Sequence, residues 1–149
     1  MAGRSEMREL KAGAIRSKGR DQHRARYAAY ISSSAWFARR EEWAAEAVLR
    51  AGSPTIHCTG CKKPWKLDRD DLHHVTYDRL EHELHEDLWP LCRQCHTTIH
   101  ELMDSSKAWR RLSRRLANEL AIATLRSRLA GGTPAQRQRR VVGSLRTFL

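Results

Sequence analysis

All four cysteines of this 149-residue chain fall in two pairs of equal spacing, Cys58-Thr59-Gly60-Cys61 and Cys92-Arg93-Gln94-Cys95. Two such knuckles suit one tetrahedral ion, because each turn brings two thiolates to the same side. Thiolates are soft ligands and select zinc over hard cations. Gly60 is expected to let the first knuckle turn tightly. Disulfides and idle buried thiols are the alternatives; the paired spacing favours a structural zinc site on Cys58, Cys61, Cys92 and Cys95.

Histidines crowd the same region. His96 and His100 are four residues apart, so on a helix they share a face and can grip one ion. His73 and His74 sit in the β-like run Leu72-His73-His74-Val75-Thr76-Tyr77. Neighbours on a strand point to opposite faces. One of the two can then bind a metal while the other stays free for chemistry. A zinc site with four cysteines is already full, so these histidines call for a second explanation.

The run LHHVTYDRLEHELHEDLWPLCRQCHTTIH, residues 72–100, resembles the ββα-metal core of HNH endonucleases, in the subgroup that carries a four-cysteine zinc site. Upstream, Tyr30-Ile31-Ser32 followed by Trp36 and Arg39 resembles the helix that often precedes the first cysteine pair. The resemblance implies that His74 is the general base and that His73, His96 and His100 hold a catalytic divalent metal. It implies phosphodiester hydrolysis in DNA to 5′-phosphate and 3′-hydroxyl ends. Asp87 takes the place of the middle Asn of the HNH name, which braces the loop and helps orient the base. Glu83 matches a residue read as structural or DNA-proximal. Two departures stand out. Asp87 accepts hydrogen bonds but cannot donate them as an amide does. His73 stands where the family often has Asp, and an all-histidine site is softer, so Ni2+, Mn2+ or Co2+ is expected to serve at least as well as Mg2+. Cleavage is expected to fall below about pH 6.5 as the histidines protonate. A non-catalytic zinc module that binds nucleic acid is the alternative, as is a subunit working with a protein partner in DNA packaging or restriction.

Charge supports a polyanionic partner. The net charge is +11. Residues 1–30 carry 8 basic and 3 acidic side chains, residues 31–100 carry 9 and 11, and residues 101–149 carry 11 and 3. The excess lies in the two ends, where it favours phosphate contact and counterion release. Lys62, Lys63, Arg93, Arg110 and Arg114 are the candidate nucleic-acid contacts. No apolar run approaches the ~18 residues of a membrane span and no secretory pattern is visible, so a cytoplasmic, non-membrane protein is expected.

The elements that must position these residues give an α+β fold: a small ββα-metal core with structural zinc, flanked by N- and C-terminal helices. Residues 1–30 read as a basic arm, residues 31–104 as the core with its preceding helix, and residues 105–149 as a basic helical extension. A short helix is expected over residues 22–31. Ser32, Ser33 or Ser34 caps a second helix with Trp36, Trp43 and Ala47 on its apolar stripe, ended by Gly52 and Pro54. Strands are expected over 72–77 and 87–91, and a helix from about Cys95 to Met103. One long helix is expected over 107–130, with Trp109, Leu112, Leu116, Leu120 and Ala123 inward. Thr133-Pro134-Ala135-Gln136 reads as a capping box opening a last helix, with Val141, Val142, Leu145 and Phe148 inward. His57 adjoins Cys58 and is a candidate to support that zinc ligand, and His82 and His85 are expected to be exposed.

Overall fold

A computed structural model describes residue 19 and residues 21–145. Residues 1–18 and 20 of the expected 1–30 arm, and the inward placement of Leu145 and Phe148, lie outside what it describes. Residues 21–31 are helical (α1). Ser33 then caps α2 (Ser34–Ala51), its Oγ accepting from the Trp36 N–H at 3.2 Å. Gly52 ends α2 with a φ of 59°, a left-handed conformation that glycine adopts without steric cost.

The chain divides into two compact units, Met1–Arg39 and Arg40–Leu149. Residues 105–145, the described part of the expected helical extension, fall in the same unit as the cysteine pairs. In the first unit Tyr30 and Trp36 are buried, with ring centroids 5.5 Å apart. In the second, Trp43 is buried edge-on to Trp65 and stacks on the His85 ring at 4.8 Å. His85, expected to be exposed, is half-buried there, and its Nδ1 lies 2.9 Å from Glu46 Oε2.

The fold is α+β with one two-stranded sheet. Strand β1 (Asp71–His74) pairs antiparallel with β2 (Leu88–Leu91), placing His73 opposite Trp89 and His74 opposite Leu88. β1 is shorter than its apolar run suggests. After Val75, whose N–H reaches the Asp87 carbonyl at 2.7 Å, Thr76 Oγ1 accepts from the Asp78 N–H at 3.2 Å. That hydroxyl turn ends the ladder. Helix α3 (Arg93–Asp104) begins earlier than expected, because extended Cys92 serves as its N-cap and its carbonyl accepts from the His96 N–H at 2.9 Å.

The long helix expected over residues 107–130 is two helices, α4 (Lys107–Arg110) and α5 (Arg114–Leu129). Ser113 makes the break: its Oγ accepts from the Leu116 N–H at 3.3 Å and caps α5. The break also resets the buried face. Ala117, Ala121 and Leu125, one turn apart, are buried beside Asn118 and Ile122, whereas Leu116 is 43% exposed. These residues close one core with Cys58, Leu91, Cys95, Ile99, Leu102 and Met103. Fully burying Leu91, Ile99 and Ile122 contributes about 1.5–3 kcal/mol each. Helix α6 (Pro134–Leu145) opens on the expected capping box. The Thr133 N–H reaches Gln136 Oε1 at 2.9 Å and the Gln136 N–H reaches Thr133 Oγ1 at 3.3 Å. Val142, expected inward, is 49% exposed. No helix among the described residues is long and apolar enough to cross a membrane.

Gly60 has a different role from the one its knuckle suggested. The left-handed residue there is Lys62, with a φ of 64°. Gly60 matters for space: a Cβ at this position would lie 2.9 Å from both Cys95 Sγ and Leu125 Cδ2. Gly60→Ala is therefore expected to cost about 1–3 kcal/mol through overpacking. A thermal melt of the zinc-loaded protein measures it, and an unchanged midpoint would show that the pocket has slack.

Candidate functional site

Each cysteine pair is held by backbone hydrogen bonds. In the first knuckle the Cys58 N–H reaches the Lys63 carbonyl at 2.8 Å and the Lys62 N–H returns to the Cys58 carbonyl at 3.0 Å. The second pair straddles the start of α3, and the Cys92 N–H points at Cys58 Sγ at 3.3 Å. All four sulfurs lie within 4.8 Å of one another. Two sulfurs about 2.3 Å from one tetrahedral ion stand about 3.8 Å apart. Cys61 Sγ and Cys92 Sγ are 3.7 Å apart. The four cysteines are free thiols whose arrangement is compatible with structural zinc. Burial pushes the Cys92 and Cys95 thiols up. For Cys61 burial acts the same way, but hydrogen bonds from Lys63 and the other sulfurs outweigh it and bring the thiol down. A divalent cation among them would favour the thiolate throughout.

Three histidines form a second cluster. The ligand atoms of His73, His96 and His100 also lie within 4.8 Å of one another. His73 comes from β1, and the other two from successive turns of α3. His96 Nε2 and His100 Nε2 are 3.2 Å apart, near the roughly 3.4 Å expected for two nitrogens on one tetrahedral ion. The second ring nitrogens are engaged where they can be read: His96 Nδ1 lies 3.5 Å from Asp71 Oδ2, and His73 Nε2 lies 2.8 Å from Asn118 Oδ1. Metal-binding histidines are held in this way by their other nitrogen. Burial lowers all three below the ordinary imidazole range. His73 goes well below it, and His100 falls to about 4, with His96 and Arg114 adding repulsion. Loss of the ligands to protons is therefore displaced to lower pH than the unperturbed value near 6.5 suggested.

His74 faces away from this cluster, as alternation on a strand requires. It is buried, and its Nε2 lies 3.0 Å from Glu83 Oε1, a carboxylate as buried as the ring. Asp87 is fully buried, and its carboxylate is taken up by Arg79, by the Leu84 N–H at 2.9 Å and by Arg115 at 3.1 Å. Burial opposes that charge, but Arg79 and the Leu84 N–H outweigh it and hold the carboxyl below its usual range. Asp87 thus ties the inter-strand loop to α5, and its carbonyl accepts from the N–H of Val75, the residue after His74.

Of the candidate nucleic-acid contacts, Lys62 and Lys63 are exposed on the first knuckle, Arg93 at the start of α3 and Arg110 at the end of α4. Arg114 is set apart. Its guanidinium lies 4.9 Å over the Tyr77 ring and donates to Tyr77 Oη at 3.0 Å. Its Nε is buried and makes no hydrogen bond among the described residues. Its charge is felt by His73, His96 and His100 alike. His57 and His82 are exposed and join neither cluster. Sequence reasoning missed Asn118 altogether and undervalued Glu83 and Asp71. A polar residue within the apolar register of α5 was the available signal for Asn118.

The chain matches no family model, no curated protein and no solved structure.

The half-buried His100 binds a proton less readily than its unfolded counterpart. The unfolded chain then takes up the extra proton as pH falls from about 6.5 to about 4, and stability is drained across that window. In protein carrying zinc alone, urea titrations should show wild type losing stability relative to His100→Asn over that range. Parallel profiles would show that His100 is accessible to protons. Chelating the zinc should separately unfold the second unit, seen as loss of dispersed amide signals.

Proposed function

We propose that this chain is a metal-dependent DNA endonuclease with a ββα-metal core of the HNH type, hydrolysing phosphodiesters to 5′-phosphate and 3′-hydroxyl ends. The observation that carries this reading is the convergence of His73, His96 and His100, with His74 the next residue on the same strand. A divalent ion on the three histidines would supply positive charge to a phosphate oxygen and to the leaving oxygen. His74 takes the proton of the attacking water at Nδ1, while Glu83 accepts from Nε2 and fixes the ring. The positive charge of Arg114, felt by all three histidines, favours an anionic group beside them. Asp87 holds the loop that carries Glu83. The basic excess of residues 1–30 and 101–149 provides sequence-independent attraction to the DNA backbone.

One observation favours a different reading, a zinc module that binds nucleic acid without cutting it. His74 is only 2% exposed, and a general base must meet its water. Supercoiled plasmid with the zinc-loaded protein and added divalent metal separates the two. The nuclease reading expects nicking by wild type, a loss of about 100-fold or more in His74→Ala, and Ni2+, Mn2+ or Co2+ at least as effective as Mg2+. If neither protein nicks while both retard DNA on a gel, the binding module replaces the nuclease. Equal nicking by both would remove His74 from the base role.

A further inference from the structure

Asn118 is a fully buried amide in the middle of α5, on a face otherwise made of Ala117, Ala121, Ile122 and Leu125. A buried amide is costly unless its groups are paired. Here they are, and the pairing has a direction. Asn118 Nδ2 donates to the Val75 carbonyl at 2.9 Å and approaches the His74 carbonyl at 3.5 Å. Carbonyl oxygens only accept, so the orientation of the amide is settled by the backbone of β1 and the residue after it. Asn118 Oδ1 is left facing His73 Nε2 at 2.8 Å. An amide oxygen also only accepts, so His73 Nε2 must carry the hydrogen. The remaining lone pair of the neutral ring is on Nδ1.

We propose that Asn118 is a positioning residue for the histidine cluster: it locks His73 in the Nε2–H tautomer, so that this residue offers Nδ1, and only Nδ1, to a divalent cation shared with His96 and His100. The proposal rests on reading that cluster as a metal site. It places a determinant of metal affinity on α5, 45 residues from His73 and outside the run that carries the ligands. An unconstrained imidazole divides between two tautomers and several ring orientations, and selecting one is what an outer partner contributes to a metal ligand.

The first test needs no substitution. Long-range 15N–1H correlation spectra of the zinc-loaded wild type should show His73 protonated at Nε2, and protonation at Nδ1 would overturn the proposal. The second uses Ni2+ titrated calorimetrically into zinc-loaded protein. Asn118→Asp keeps an acceptor for His73 but loses the donor to Val75; Asn118→Leu loses both. Asn118→Leu should weaken Ni2+ binding about 10- to 100-fold, while Asn118→Asp should retain the tautomer and stay close to wild type. Equal weakening in both would reduce Asn118 to an anchor for the Val75 carbonyl and sink the idea. Should Asn118→Leu fail to fold, the wild-type and Asn118→Asp spectra still decide. None of these readouts uses DNA cleavage, so an inactive protein that binds Ni2+ through His73 Nδ1 would leave the proposal standing while the nuclease reading fell. An Nε2–H His73 with no Ni2+ binding would overturn both.

Discussion

The convergence of four sulfurs is the constraint on which the rest of the second unit depends. They join a turn at residues 58–61 to the first turn of α3, two segments that share little else of their own. Around them the apolar core is small: one β-strand leucine, one face of α3 and one face of α5. Closing a loop of this length costs conformational entropy that so few side chains offset poorly. An ion bound by four thiolates adds a term of about 10–16 kcal/mol in small zinc domains. Gly60 lets α5 approach the knuckle, and Arg126 fastens the contact by donating twice to the Thr59 carbonyl, at 2.7 and 2.9 Å.

From that clamp the second cluster follows. The helix that receives Cys92 and Cys95 continues directly into His96 and His100, and the strand pair beside it delivers His73. Burial withdraws water from these imidazoles and lowers their affinity for a proton. Asp87, with its two arginines and the Leu84 N–H, performs the same service for the loop that a second clamp would, holding Glu83 where it meets His74. Among the described residues the buried side-chain polar groups are hydrogen-bonded except the Nε atoms of Arg40 and Arg114.

How much of this could be read from the chain depended on whether the signal was local. Paired cysteines at fixed spacing and histidines four apart on a helix are local, and the structure brings both groups together. The caps at Ser33 and at Thr133 with Gln136 are local too, and they form as the sequence suggested. The break at Ser113 was also written locally, but Trp109, Leu112 and Leu116 carried an apolar repeat straight across it. That repeat prevailed in the reading, and the hydroxyl cap prevailed in the molecule. For Asn118 and Glu83 the residue types were visible and their partners were not. Their meaning lies in which imidazole nitrogen they face, and that depends on contacts across the fold. Gly60 shows the same limit, since its neighbour Leu125 arrives from far along the chain.

Cys95, His96 and His100 lie on α3 with Cys92 as its N-cap, so members of both clusters fall within nine consecutive residues, 92 to 100. A helix turns about 100° per residue, so the angle between the thiolate pair and the imidazole pair is written as a count of residues. One residue added or lost between Cys95 and His96 would swing the imidazoles about a quarter-turn away from His73 while leaving the sulfurs where they are. The segment behaves as a gauge of fixed length.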